Sequence, residues 1–160
     1  MKHLFLTTAL TLGVLGGSVA TASAQVYTLT AALAGNEEVP GINTGAFGSA
    51  TITVNMSART VTYAVDVFNL PSGVTASHIH IGASSTAGPV IVNFAPPLTA
   101  SNDFSYSGTV PDSQFLLRPD QGIRSADDIF QAIIGGNTYV NVHSSVNTGG
   151  EIRGRLTLKP

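Results

Sequence analysis

Gly48-Ser49-Ala50-Thr51-Ile52-Thr53-Val54-Asn55 runs into Met56-Ser57-Ala58-Arg59 and then into Thr60-Val61-Thr62-Tyr63-Ala64-Val65-Asp66-Val67-Phe68-Asn69-Leu70. In both runs apolar residues alternate with Thr, Ser, Ala or Asp. That is the period of a strand with one face buried, and the β-branched content fits a pleated surface. Four residues between two such runs read as a hairpin turn. Working outward, six more short runs carry the same signature: Val26 to Leu33, Ala76 to Ile81, Pro89 to Phe94, Phe104 to Val110, Thr138 to Ser144 and Glu151 to Leu158. Turn residues separate them, among them Gly35-Asn36, Pro40-Gly41, Pro71-Ser72-Gly73, Pro96-Pro97, Gly135-Gly136-Asn137 and Thr148-Gly149-Gly150. Eight short strands so punctuated predict an all-β fold, an antiparallel Greek-key β-sandwich of superoxide-dismutase-like or immunoglobulin-like type.

One short helix is expected from about Ser125 to Ile134. Ser125 is a good N-cap and Asp128 completes a capping box, while Gly135 can take the left-handed stop. Ile129, Ile133 and Phe130 or Ala126 would face the sandwich. Asp127 and Asp128 suit the first helical turn, where they complement the helix dipole.

The first 24 residues read as a secretory signal. Lys2 supplies the positive start, Leu4 through Ala20 an apolar run broken by Thr and Gly, and Ala22-Ser23-Ala24 a small-residue cleavage site. Cleavage after Ala24 leaves residues 25–160 as a single domain, secreted or periplasmic, with no integral membrane span. The chain has no cysteine, so its core must hold the fold without disulfides, and thiolate metal sites are excluded. Lys2 is one of seven basic residues, so six remain against nine acidic ones, a net charge near −3. That balance argues against nucleic acid or an anionic membrane as partner.

Of four histidines, His3 leaves with the signal, and the remaining three sit on expected strands. His78-Ile79-His80 places two imidazoles on one strand face, and His143 ends Thr138-Tyr139-Val140-Asn141-Val142-His143. A single strand histidine is more often a packed residue donating to a carbonyl. Three together, with none elsewhere in the mature chain, point to a metal site of neutral nitrogen ligands, copper first, with zinc also fitting. Other chemistry lacks support. The Gly82–Gly88 loop has no lysine or following helix for phosphate, and Asp66, Asp103, Asp112 and Asp120 have no calcium-loop spacing. Nor is there a nucleophile elbow or a carboxylate pair suited to glycoside hydrolysis. Glu37 and Glu38 are expected to be solvated or tied to their loop. Glu151 and Arg153, two apart, are expected as a rim ion pair or as residues supporting a site.

Asn36-Glu37-Glu38-Val39-Pro40, Ser77-His78-Ile79-His80-Ile81-Gly82, Gly88-Pro89-Val90, Tyr139-Val140-Asn141-Val142-His143 and Gly149-Gly150-Glu151-Ile152-Arg153-Gly154 follow one another in an order that resembles the chordin-type (CHRD) domain. The resemblance runs from about Asn36 to Leu156 and implies a small extracellular domain. His78, His80 and His143 also resemble, in type, order and flanks, the copper ligands of copper–zinc superoxide dismutases, and Leu70-Pro71-Ser72-Gly73 is similar to the approach to that strand. No fourth histidine bridges to zinc and no cysteine pair is present, so counting excludes a dinuclear centre. That resemblance implies a copper-only site, with Arg153 as a catalytic residue that attracts superoxide. Three functions follow as expectations: a protein that binds one metal ion, a metal-free module for an extracellular protein or matrix, and a copper-only dismutase.

Overall fold

A computed structural model describes residues 25–83, 85–97 and 101–160. The expected signal segment lies outside the described residues. The strands are β1 (Val26–Ala34), β2 (Phe47–Asn55), β3 (Thr60–Phe68), β4 (Val74–Ile81), β5 (Val90–Asn93), β6 (Phe104–Pro111), β7 (Thr138–Ser144), β8 (Ile152–Arg155) and β9 (Thr157–Leu158), with helix α1 (Ala126–Ile134) before β7. They pair antiparallel along one path, β5-β4-β7-β8-β1-β2-β3-β6, with β9 added to β1.

The path folds into an all-β sandwich. β8 meets β1 through a single residue pair, Ala34 and Arg153, and there the sheet turns its corner. The path ends are drawn together across the core, where buried Tyr106 of β6 donates to Ser77 Oγ of β4 at 2.6 Å. The links β3 to β4, β5 to β6 and β6 to β7 join strands that are not neighbours, which gives the Greek-key connectivity. Ala50, Ile52 and Val54 of β2 pack with Val61, Tyr63, Val65 and Val67 of β3, as strand alternation requires. The hairpin between them keeps its register from Asn55–Thr60 to Phe47–Phe68. Its turn places Arg59 at φ +59°, while Asn55 Oδ1 accepts from the Ala58 N–H.

The structure alters two expectations. The last run is not one strand: buried Leu156 separates β8, which pairs with β7, from β9, which pairs with β1. The chain changes partners there, so a continuous ladder cannot form. The capping box of Ser125 and Asp128 is present, but the left-handed stop is Gly136 at φ +70°, whereas Gly135 is helical at φ −73°. Ala132 joins Ile129, Phe130 and Ile133 on the buried face.

β7 is the element that carries His143 toward the other two histidines. Every one of its residues is buried, although it alternates like a half-exposed strand. Val140 and Val142 face the sandwich core, and Tyr139, Asn141 and His143 face outward, beneath loops.

Candidate metal centre

Strand alternation sends Ile79 into the core and turns His78 and His80 to the outer face of β4. In register, Ala76 pairs with His143, His78 with Asn141, and His80 with Tyr139. His143 therefore lies on the same face as the pair, diagonal to His78. One ring nitrogen from each of the three lies within 4.8 Å of the others. A common ion at about 2.0–2.1 Å from each nitrogen permits separations of roughly 4 Å, so small ring adjustments suffice.

The loops orient the rings. His80 Nδ1 is 2.8 Å from the Gly88 carbonyl and His143 Nδ1 is 2.9 Å from the Thr148 carbonyl. A carbonyl only accepts, so both Nδ1 atoms carry the proton and both Nε2 atoms offer a lone pair. His143 Nε2 faces His78 Nδ1 at 3.2 Å, and His80 Nε2 is buried with no hydrogen-bond partner. A histidine whose far nitrogen donates to a carbonyl while its near nitrogen is free is the usual arrangement of a metal ligand.

The electrostatics agree with that donor set. Burial pushes His78 down from 6.5 to about 4, and the other two imidazoles add to the effect. Burial also lowers His80 and His143, against the hydrogen bonds to Gly88 and Thr148, which favour the charged forms. All three are neutral near pH 7, as ligation requires. Three neutral nitrogens can hold copper or zinc and suit a hard oxygen-seeking cation poorly.

A supporting layer surrounds the rings. Tyr139 stacks on His80, with centroids 5.0 Å apart and planes within 9°, and its hydroxyl accepts from the Gly88 N–H at 3.0 Å. Gly88 is thus clamped between Tyr139 and His80. An added Cβ there would lie 1.6 Å from the Ile81 carbonyl oxygen, so glycine is required for the approach. The Arg153 guanidinium also lies over the Tyr139 ring, 4.6 Å from its centroid. Arg153 donates to the carbonyls of Glu37 and, at 3.0 Å, Thr86, which ties both covering loops to β8.

The expected rim ion pair between Glu151 and Arg153 is corrected. Both residues are buried, and among the described residues the ion pairs are those of Arg59 with Asp112 and Asp127. Glu151 instead accepts from Ser144 Oγ at 2.7 Å and Asn147 Nδ2 at 2.6 Å. Burial pushes its carboxyl up, but hydrogen bonds from Thr44, Asn147 and Ser144 outweigh burial and hold it below the ordinary value. Of the two glutamates expected to be solvated or tied to their loop, Glu37 is exposed, whereas Glu38 is buried beside Asn141 and Arg153. Glu38 also lines a concavity of about 280 Å³ between its own loop and the 146–150 loop that carries the Thr148 carbonyl.

Tyr139 and Asn141 escaped the sequence reading, although their positions four and two residues before His143, on one strand face, were a usable signal. For Glu38 no local signal existed. Among the described residues no helix is long and apolar enough to cross a membrane. Comparison with curated proteins returns no match, and neither does comparison with solved structures. The family model of the CHRD domain matches residues 29–156, from within β1 to Leu156 between β8 and β9, and the chain belongs to the CHRD domain family.

Proposed function

We propose that this protein is an exported CHRD-domain protein that holds one metal ion, copper in preference to zinc, through His78, His80 and His143. The observation that carries the reading is the buried, unpartnered His80 Nε2, facing a cluster whose other two histidines converge on it. An unpartnered buried acceptor costs about 1–3 kcal/mol, which a bound ion would offset. Copper is favoured over zinc because a generic nitrogen site follows the Irving–Williams order. Export rests on the signal-like residues 1–24.

Metal analysis of protein purified from its native compartment, followed by titration with Cu(I), Cu(II) and Zn(II), tests the reading. One equivalent of copper bound more tightly than zinc is expected. No metal in the native protein and no binding in titration would sink it.

A copper-only dismutase is the second reading, with Arg153 as the residue that would attract the anion. The nearness of Arg153 to Thr86, in the loop over the histidines, favours it. Its low exposure of 3% and its commitment to two carbonyls oppose it. Binding is therefore ranked first. Superoxide decay measured by pulse radiolysis on copper-loaded protein separates the two readings. A near diffusion-limited rate that collapses in Arg153→Ala would reverse the order.

A further inference from the structure

Beside the three imidazoles lies a second buried polar group that metal ligation alone does not use. Glu38 is 8% exposed, and its Oε1 has no hydrogen-bond partner. That oxygen and both side-chain polar atoms of Asn141 crowd the Cα of Gly150: a Cβ added there would lie 2.5 Å from Glu38 Oε1 and 2.7–2.8 Å from the Asn141 amide atoms. Asn141 stands between Glu38 and the histidines. It pairs in register with His78 on one side and with Arg153 on the other, and it shares its strand face with His143. The charged groups packed against Glu38 are Arg153 and Glu151, both on or beside β8, and Glu37 precedes it in the chain with its carbonyl held by Arg153.

We infer that Glu38 is the proton-exchanging group of the histidine site: its carboxyl, held beside Asn141 and Arg153, loses a proton when an ion enters between the three imidazoles and regains it when the ion leaves. The inference rests on the metal-binding reading above. The physical reason is that Glu38 is buried against Asn141, the register partner of His78, so a positive charge added among the imidazoles is screened less there than it would be in water. Without an ion, burial and the nearby Glu151 favour the neutral acid, while Arg153 and the Asn141 hydrogen bond favour the anion. The balance sets Glu38 at about 7 instead of 4.5. A cation in the site adds to the side of Arg153 and tips the group to carboxylate. The histidines cannot supply that proton, because their lowered values leave them neutral before the ion arrives. The step is a simple dissociation: the O–H bond of the acid breaks and the proton passes to solvent through the adjoining concavity.

The test is calorimetric titration with Zn(II) and with Cu(I) at pH 7 in buffers of different ionisation enthalpy, which reads the protons released per ion. Wild type should release about half a proton per ion, because a group at about 7 is half protonated there. Glu38→Gln should bind the ion and release none. Equal release from both proteins would overturn the assignment. Should wild type bind neither ion, the three-histidine reading itself fails and this inference falls with it. A second measurement keeps the question open to refutation if Glu38→Gln does not fold. The Glu38 carboxyl ¹³C resonance of wild type should titrate near neutrality without metal and move to lower pH with Zn(II). A carboxyl that is ionised throughout that range in both states would refute the proposal.

Discussion

His80 joins the β-strand scaffold to the candidate metal centre through its two ring nitrogens. Nδ1 is spent on the Gly88 carbonyl, which leaves Nε2 as the atom available to an ion. A ligand that binds only the folded state stabilises it by mass action, about 2.7 kcal/mol when free ion is a hundredfold above its dissociation constant. Copper should therefore raise the melting temperature of wild type, and His80→Ala or His143→Ala should lose most of that gain in differential scanning calorimetry. An undiminished gain in a variant with His78, His80 and His143 all replaced by alanine would place binding elsewhere. Tyr139→Phe asks a finer question, because it removes only the acceptor for the Gly88 N–H. A cost near 1 kcal/mol in chemical denaturation is expected, together with weaker copper affinity, since Gly88 is what holds the His80 ring.

At the scale of elements, the loop between β4 and β5 behaves as a lid fastened from below. Gly88 bonds to Tyr139 and His80, and Thr86 accepts from Arg153. Gly88→Ala would drive a methyl group into the Ile81 carbonyl. It should cost about 1–3 kcal/mol, as overpacking does, and abolish tight copper binding while β1 to β3 keep their pairing. Amide exchange separates these effects, and protection lost evenly across the whole sandwich would contradict the lid picture. Helix α1 offers an independent comparison, far from the histidines in its dependence on local chemistry. Ser125→Ala removes the side chain that accepts from the Asp128 N–H, and a loss of about 1 kcal/mol with unchanged copper binding is expected.

For the whole molecule, pH acts on the metal-free protein through groups shifted in opposite directions, among them half-buried His78 and buried Glu38. His78 is lowered from 6.5 to about 4 in the folded state. Its contribution is complete above pH 6.5 and is lost as the pH falls toward 4, because the unfolded chain takes up the proton first. Glu38 is raised from 4.5 to about 7, so its contribution is complete below pH 4.5 and is lost as the pH rises through 7. Glu38→Gln should therefore raise the melting temperature relative to wild type on the alkaline side and leave the acid loss in place. A calorimetric series across pH reads both arms. A variant that is less stable than wild type at every pH would show that the carboxylate is needed for packing.

The sequence by itself determined the strand runs up to β7, the antiparallel sandwich, the capped helix and the identity of the three histidines. Each of these depends on local periodicity or on a count. Alternation puts His78 and His80 on one face whatever the fold, and a chain with just three histidines among its described residues has few ways to use them. Tertiary structure alone decided that His143 joins that face, because its position depends on the register of β4 against β7, two strands separated by more than fifty residues. It also decided the fates of Glu38, Glu151 and Arg153. Their spacing suggested solvated or rim charges, yet the corner where β8 meets β1 and the loops folded over β7 bury all three. Burial is a property of what packs on top of a residue, and in this molecule the covering loops come from distant parts of the chain.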